Sequence, residues 1–174
     1  AEVPLSNGRK MFLLGTIDRV DVCEEDDRVL MRVIDYKSGA KKFEMEDFYY
    51  GLELQLIIYM NAAEEIYHKE TEKEVTPAGV FYYQLQDPIV KADHAEEESL
   101  LKNFRMSGMA NSDGDILNKL EAPDGDFLSM PVRLKKSGEP YKNSPVMGTQ
   151  DFHYMGGYAK RKAAELGGRI YKGE

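Results

Sequence analysis

The run EMEDFYYGLELQLIIYMNAAEEIYHKE, residues 44–70, constrains the fold more than any other stretch of this chain. It has the length of a helix, and Phe48, Leu52, Leu56, Tyr59, Ala63 and Ile66 recur at steps of three and four, the spacing of one helical face. Leu54, Ile57 and Ile58 add apolar surface off that stripe. A helix apolar nearly all round is buried on both sides, or was buried against something now missing.

The segments around it supply strands. KMFLLGTIDRVDV, residues 10–22, has the β-branched, apolar character of one strand. CEEDDR then turns the chain, and VLMRVIDYK resumes as a second strand, with an antiparallel hairpin as the cheapest connection. VTPAGVFYYQLQDP reads as a third strand closed by Asp87-Pro88. Residues 93–105 and SDGDILNKLE read as helical, and PVRLKKSGEPYK as a short hairpin. Thr149 is placed to cap a last helix with an apolar stripe of Phe152, Met155, Ala159, Ala163 and Leu166, ended by Gly167-Gly168. Arg169–Tyr171 is then expected as a closing strand. The order, β-β-α-β and a mixed tail, belongs to the α/β class.

The second strand raises a chemical question: why do Asp35 and Lys37 sit two apart in so apolar a stretch? Side chains alternate along a strand, so Met31, Val33, Asp35 and Lys37 share a face, as do Leu14, Thr16, Asp18, Val20 and Val22. In the hairpin, a register whose paired numbers sum to 53 sets Asp18 opposite Asp35, and one summing to 51 sets them diagonal. Either brings both acids to one face with Cβ atoms roughly 5–8 Å apart. Two carboxylates that close repel each other and lose hydration, so one takes a proton unless a cation lies between them. Lys37 offers one positive charge; a divalent ion offers two, and Mg²⁺ commonly takes one or two carboxylates beside waters and phosphate oxygens. Asp and Lys so spaced can present a metal ligand and an ammonium to the same phosphate. The plainer alternative is a structural Asp35–Lys37 ion pair. Arg19 and Asp21 project the other way and read as a surface pair.

Composition bounds the possibilities. Cys23 is the single cysteine, which excludes an internal disulfide and a cysteine-clustered zinc or iron–sulfur site, and a reducing, cytoplasmic setting fits. His68, His94 and His153 lack ligand spacing. No stretch approaches the ~18–20 apolar residues of a membrane span, and AEVPLSNGRK has no signal-peptide core. A start without Met and an end at RIYKGE suggest a piece of a longer chain. The net charge of -8 is uneven: residues 128–174 hold nine Lys/Arg against four Asp/Glu. It argues against strong independent DNA binding without excluding DNA.

GTIDRVD, VIDYKSG and LQLIIYMNAA together resemble the RecB-like branch of the PD-(D/E)XK nucleases, whose pattern is G-x-I-D, D-Y-K and Q-x-x-x-Y; Gln55 and Tyr59 match the last element. GVFYYQLQDPIV, FRMSGMANSDGDILNKLE and the order KKSGEPYKNSP…GRIYKG further resemble the C-terminal nuclease domain of AddB-type subunits of bacterial ATP-dependent helicase–nucleases, which process double-strand DNA ends for recombination. The resemblance implies a restriction-endonuclease-like mixed β-sheet flanked by helices. Residues 1–174 would form one nuclease domain, with 10–90 as the motif-bearing core and 91–174 as the family-specific part. Asp18 and Asp35, with the Tyr36 carbonyl, would hold Mg²⁺, or Mn²⁺ in its place. Lys37 would be catalytic, and Gln55 and Tyr59 would support the site or touch the DNA strand. The implied partners are single-stranded DNA and, through the parent protein, an AddA-type subunit, with no membrane.

Three family features are not matched. An upstream helix supplying an acid or histidine is expected to precede this chain. The parent's iron–sulfur cluster uses four cysteines, none of which is Cys23. There is also no G-x-x-x-x-G-K-[ST] loop. The rival reading is a non-catalytic DNA-guiding or subunit-docking module on a nuclease-like fold. Tyr82 and Tyr83 could stack bases but fit a strand core better, and Arg133, Lys135, Lys136 and Lys160–Lys162 could track phosphates but fit a solvated face better.

Overall fold

In a computed structural model, which describes residues 2–85, 104–121 and 127–174, the chain begins with a small antiparallel pair, β1 (Glu2–Pro4) and β2 (Lys10–Phe12). The main sheet contains β3 (Arg19–Glu24), β4 (Arg28–Lys37), β5 (Glu74–Gln84), β6 (Ser107–Asn111) and β7 (Val146–Met147), side by side in that order. β3 and β4 form the expected hairpin, β4 and β5 run parallel, β5 and β6 antiparallel, and β6 and β7 parallel. The result is a mixed five-stranded sheet flanked by helices, the α/β, restriction-endonuclease-like architecture expected. A parallel β4–β5 pair needs a long crossover, and α1 (Met45–Tyr50) with α2 (Gln55–Thr71) provides it.

Both sheet faces are covered, which explains why β4 and β5 read as nearly continuous apolar runs. On the opposite face from α3 (Gly114–Leu120), Met31, Val33, Val80 and Tyr82 pack against Leu56, Ile57, Met60 and Ala63 of α2, with Phe152, Met155, Ala159 and Ala163 of α4 (Thr149–Lys172) in the same core. The long apolar helix is therefore buried on two sides, between sheet and α4. On the α3 face Ile34, Phe81 and Ala110 pack with Leu117 and with Phe127, Met130 and Val132. Asp113 caps α3, its side chain accepting from the backbone N–H groups of Asp115 and Ile116. Among the described residues no helix is long and apolar enough to cross a membrane.

Several local expectations need correction. Residues 10–22 are not one strand: β2 pairs with β1, the chain then leaves the ladder, and β3 begins only at Arg19. At Gly15 it passes so close to the Tyr59 ring that a Cβ would lie 3.0 Å from the phenol oxygen. β3 is an edge strand, and Val20 and Val22 remain partly exposed rather than covered. Cys23 lies within β3, exposed, not in the turn. The helix expected over 44–70 is two helices, because Gly51 takes a left-handed conformation (φ 84°) that ends α1. The break resets the helical phase, so Leu52 and Ile66 fall outside the core at 74% and 55% exposure.

The sequence held no signal for β6, whose Gly108 is a poor strand former. The strand exists because tertiary pairing requires it: a Cβ at Gly108 would lie 2.0 Å from the Val80 carbonyl oxygen. Gly148, not Thr149, occupies the cap position of α4, and the Thr149 hydroxyl accepts from Asn111 Nδ2 at 2.8 Å. Gly167-Gly168 does not end α4 either. Gly167 lets the helix press against Met11 and Leu5, and the helix runs on to Lys172, so Arg169–Tyr171 is not a strand. The expected hairpin at 131–142 is present as a Leu134–Pro140 bridge. Asp87-Pro88, His94 and residues 93–103 lie outside the described residues; Phe104 and Arg105 are not helical.

Candidate active site

The ladder between β3 and β4 stops at the Arg19–Ile34 pair, while β4 continues through Asp35, Tyr36 and Lys37 alongside β5. Its paired numbers sum to 53, the register that sets Asp18 across from Asp35. Asp18 sits one residue before β3, and its side chain takes over where the ladder ends: the Tyr36 N–H donates to Asp18 Oδ2 at 2.9 Å. A strand residue turns its N–H and C=O to the same neighbour. Lys37 faces β5, its carbonyl accepting from the Leu85 N–H at 2.9 Å, so Tyr36 faces the other way, toward Asp18.

Asp35 is 2% exposed, a buried carboxylate at the end of a central strand. The Lys37 ammonium lies 2.6 Å from Asp35 Oδ2 and donates to Gln55 Oε1 at 2.9 Å. Gln55 Nε2 donates to Asp35 Oδ1 at 3.0 Å and to the Tyr59 hydroxyl, also at 3.0 Å. An amide can accept from an ammonium with one end and donate to a carboxylate with the other, which explains a glutamine here. Gln55 opens α2, and Tyr59 follows one turn later on the same side of the helix. The structure thus gathers Asp35, Lys37, Gln55 and Tyr59 into one hydrogen-bonded cluster, with Asp18 tied to the adjoining backbone.

The pairing of Asp35 is incomplete. Its Oδ2 is fully buried and within ion-pair distance of Lys37, yet no hydrogen bond of proper direction reaches it. The Lys37 ammonium at 2.6 Å supplies one positive charge to an atom whose burial would otherwise be costly. Among the described residues no three His, Cys, Asp or Glu side chains gather as a ligand set. Tyr82 lies beneath, with Lys37 Nζ 5.3 Å from its ring centroid. Burial, and then the charges of Glu53 and Asp35, push its phenol above the usual range, so it stays neutral and serves as core.

Sequence reasoning missed Glu53 and Lys41. Glu53 is a second buried carboxylate, paired with Lys41 and accepting from the Glu44 N–H at 3.3 Å, in the loop just before Gln55. A charge inside the apolar run GLELQLII was the available signal, the same one that exposed Asp35. Arg19 and Asp21 do form the expected pair, at 2.7 Å, and Arg32 joins it at 2.7 Å. Burial works against the Asp21 charge, but the hydrogen bonds from Arg19 and Arg32 outweigh it and hold the carboxyl below its ordinary value. Of the basic residues, Lys135, Lys160 and Lys162 are engaged with Glu139, Glu65 and Glu165, and Arg133 lies over the Tyr141 ring.

The same arrangement of motifs connects the chain to known proteins. The family description that matches residues 1–151 is the PD-(D/E)XK nuclease superfamily. The chain is 34% identical over 176 residues to the B subunit of the ATP-dependent helicase/deoxyribonuclease of Alkaliphilus oremlandii, covering 98% of this chain and 15% of that protein. The protein of the same description from Thermoanaerobacter sp. (strain X514) is 36% identical over 178 residues, covering 99% and 15%. That from Clostridium tetani is 36% identical over 172 residues, covering 94% and 15%. The chain therefore spans about 15% of the length of the curated relatives it matches.

Proposed function

The chain belongs to the PD-(D/E)XK nuclease superfamily, and on that premise we propose that it is a nuclease domain that hydrolyses DNA phosphodiester bonds with a divalent cation. Residues 1–174 form one such domain, 10–90 carrying the motifs. Its parent would be a bacterial helicase–nuclease that prepares double-strand breaks for recombinational repair in the cytoplasm, cutting single strands beside an AddA-type subunit. Any iron–sulfur cluster of that parent draws its ligands from outside these residues, since Cys23 is the only cysteine.

The observation that carries this reading is the Asp35 carboxylate, buried beside Lys37 and Gln55 at the end of β4, with Asp18 tied to the adjoining Tyr36 N–H. Superfamily members generally use divalent metals. We assign Asp18, Asp35 and the Tyr36 carbonyl to hold Mg²⁺, with Mn²⁺ as a substitute; oxygen donors of this kind suit both ions. Bound there, the ion would supply Lewis-acid polarisation of a phosphoryl oxygen. Lys37 places its ammonium beside the same phosphate, orienting the attacking water and stabilising negative charge that grows during attack. Gln55 fixes the positions of Lys37 and Asp35 at once, and the Tyr59 hydroxyl fixes the Gln55 amide.

Incubation of this chain with single-stranded DNA in Mg²⁺ or Mn²⁺ tests the proposal. Cleavage that disappears in Lys37→Ala is the expected result. DNA bound but cut by neither protein favours the non-catalytic module instead.

A further inference from the structure

One groove on this acidic chain combines exposed, mutually packed tyrosines with a lining free of acids among the described residues. It runs between α1 and the first half of α4, about 540 Å³ in volume, with walls that include Met45, Tyr49, His153, Tyr154, Tyr158 and Arg161. Tyr49 and Tyr154 are 63% and 66% exposed, and neighbouring Tyr50 is 61% exposed. Clustered apolar surface left in water marks an interaction site. These rings are also ordered with respect to one another. Tyr49 lies parallel to Tyr158, centroids 6.1 Å apart at 11°, and Tyr50 stands edge-on to Tyr49. The Tyr158 hydroxyl donates to the Tyr49 carbonyl at 2.5 Å, which ties α4 to α1.

Charge decides what such a surface can hold. No carboxylate is among the described residues lining the groove, although the chain carries a net charge of -8. Arg161 makes no ion pair among the described residues, whereas its neighbours Lys160 and Lys162 are paired with Glu65 and Glu165. By contrast, the groove between β1, α2 and α4, whose wall Arg161 shares, is lined by Glu2 and Glu65 as well as by cations. Flat rings, and a guanidinium and an imidazole that meet no acid among the described residues, match the two halves of a nucleotide, the base and the phosphate. α1 also connects the strand bearing Asp35 and Lys37 to the helix bearing Gln55, which puts the groove on the link between the two halves of the candidate site.

We propose that this groove is a base-stacking track for a single DNA strand. The proposal rests on the nuclease reading for the identity of the strand. Tyr49 and Tyr154 stack on bases, Tyr158 braces Tyr49 from behind, and Arg161 meets the phosphates.

The test is the anisotropy of a fluorescein-labelled oligothymidylate titrated with this chain in EDTA, where cutting cannot occur. Tyr154→Ala and Tyr49→Ala are each expected to weaken binding roughly 5- to 100-fold, while Tyr49→Phe keeps the ring and the affinity. An abasic oligonucleotide of equal length should bind wild type as weakly as the normal one binds the alanine variants. Arg161→Ala should flatten the dependence of log affinity on log salt by about 0.7. Thermal unfolding confirms that each variant is folded, and a 5-iodouracil oligonucleotide should photocrosslink to Tyr49 or Tyr154. Absence of binding, equal affinity in all variants, or undiminished binding of the abasic strand overturns the proposal and leaves the groove to a polypeptide partner. Cleavage is scored separately. Tyrosine-dependent binding without any metal-dependent cleavage upholds the track and sinks the nuclease reading; cleavage with tyrosine-independent binding does the reverse.

Discussion

Gln55 joins the two charged residues of the candidate site, so the geometry of Asp35 and Lys37 depends on a neutral residue between them. The cluster contrasts with exposed pairs such as Lys135–Glu139, whose attraction is screened by solvent. A second titrating residue shows what burial does without such help. Glu64, half-buried on α2, is pushed up to about 7 by desolvation, assisted by Glu65 and only partly opposed by Lys160. Between its unfolded value near 4.5 and about 7 the folded chain therefore binds more protons than the unfolded chain. Stability contributed by the protonated form is then lost as pH rises through that window. Glu64→Gln is expected to be stabilising by about 1–3 kcal/mol at pH 8 and nearly neutral at pH 4.5, read by urea denaturation at both. An equal effect at the two values would contradict the burial argument.

At the scale of elements, the close approach of β6 to β5 at Gly108 sets the tightest constraint in the sheet. Gly108→Ala forces a methyl group against the Val80 backbone, and a loss of about 2 kcal/mol or more is expected, measured as a lowered denaturation midpoint with unchanged slope. Gly114, open on all sides, is the matched control, and its alanine variant should change stability little. The same strand shows why some elements could be read from sequence and others could not. The β3–β4 hairpin and α2 were legible because each has a strong period or a turn of its own, and the observed register is one of the two the hairpin left open. β6 was not, since SGMAN is specified by its neighbours rather than by its own residues. Gly51 ends a helix in the usual left-handed way where the apolar stripe suggested continuation, whereas Gly167 lies inside α4 where a stop was expected. Spacing and resemblance singled out Asp18, Asp35, Lys37, Gln55 and Tyr59, which the structure brings together at the end of β4; they passed over Glu53, which lies in a loop where alternation carries no message.

For the whole molecule, the mixed sheet serves to bring the end of β4 to a place where β3 has stopped and α2 begins. Three elements thereby converge on one buried carboxylate with a single amide linking them. The net negative charge is compatible with this role because the aromatic groove itself is free of acids among its described residues. On the proposed reading, holding and cutting the strand fall to this chain, which spans about 15% of the relatives' length. The nuclease reading depends on the Asp18–Asp35 site accepting a divalent ion. Calorimetric titration of Mn²⁺ into wild type and Asp35→Asn decides it. Binding at one site per chain in wild type, lost in the variant while the fold is retained, is the expected outcome. Equal binding by the two proteins, or none by wild type, would refute a metal site at the end of β4.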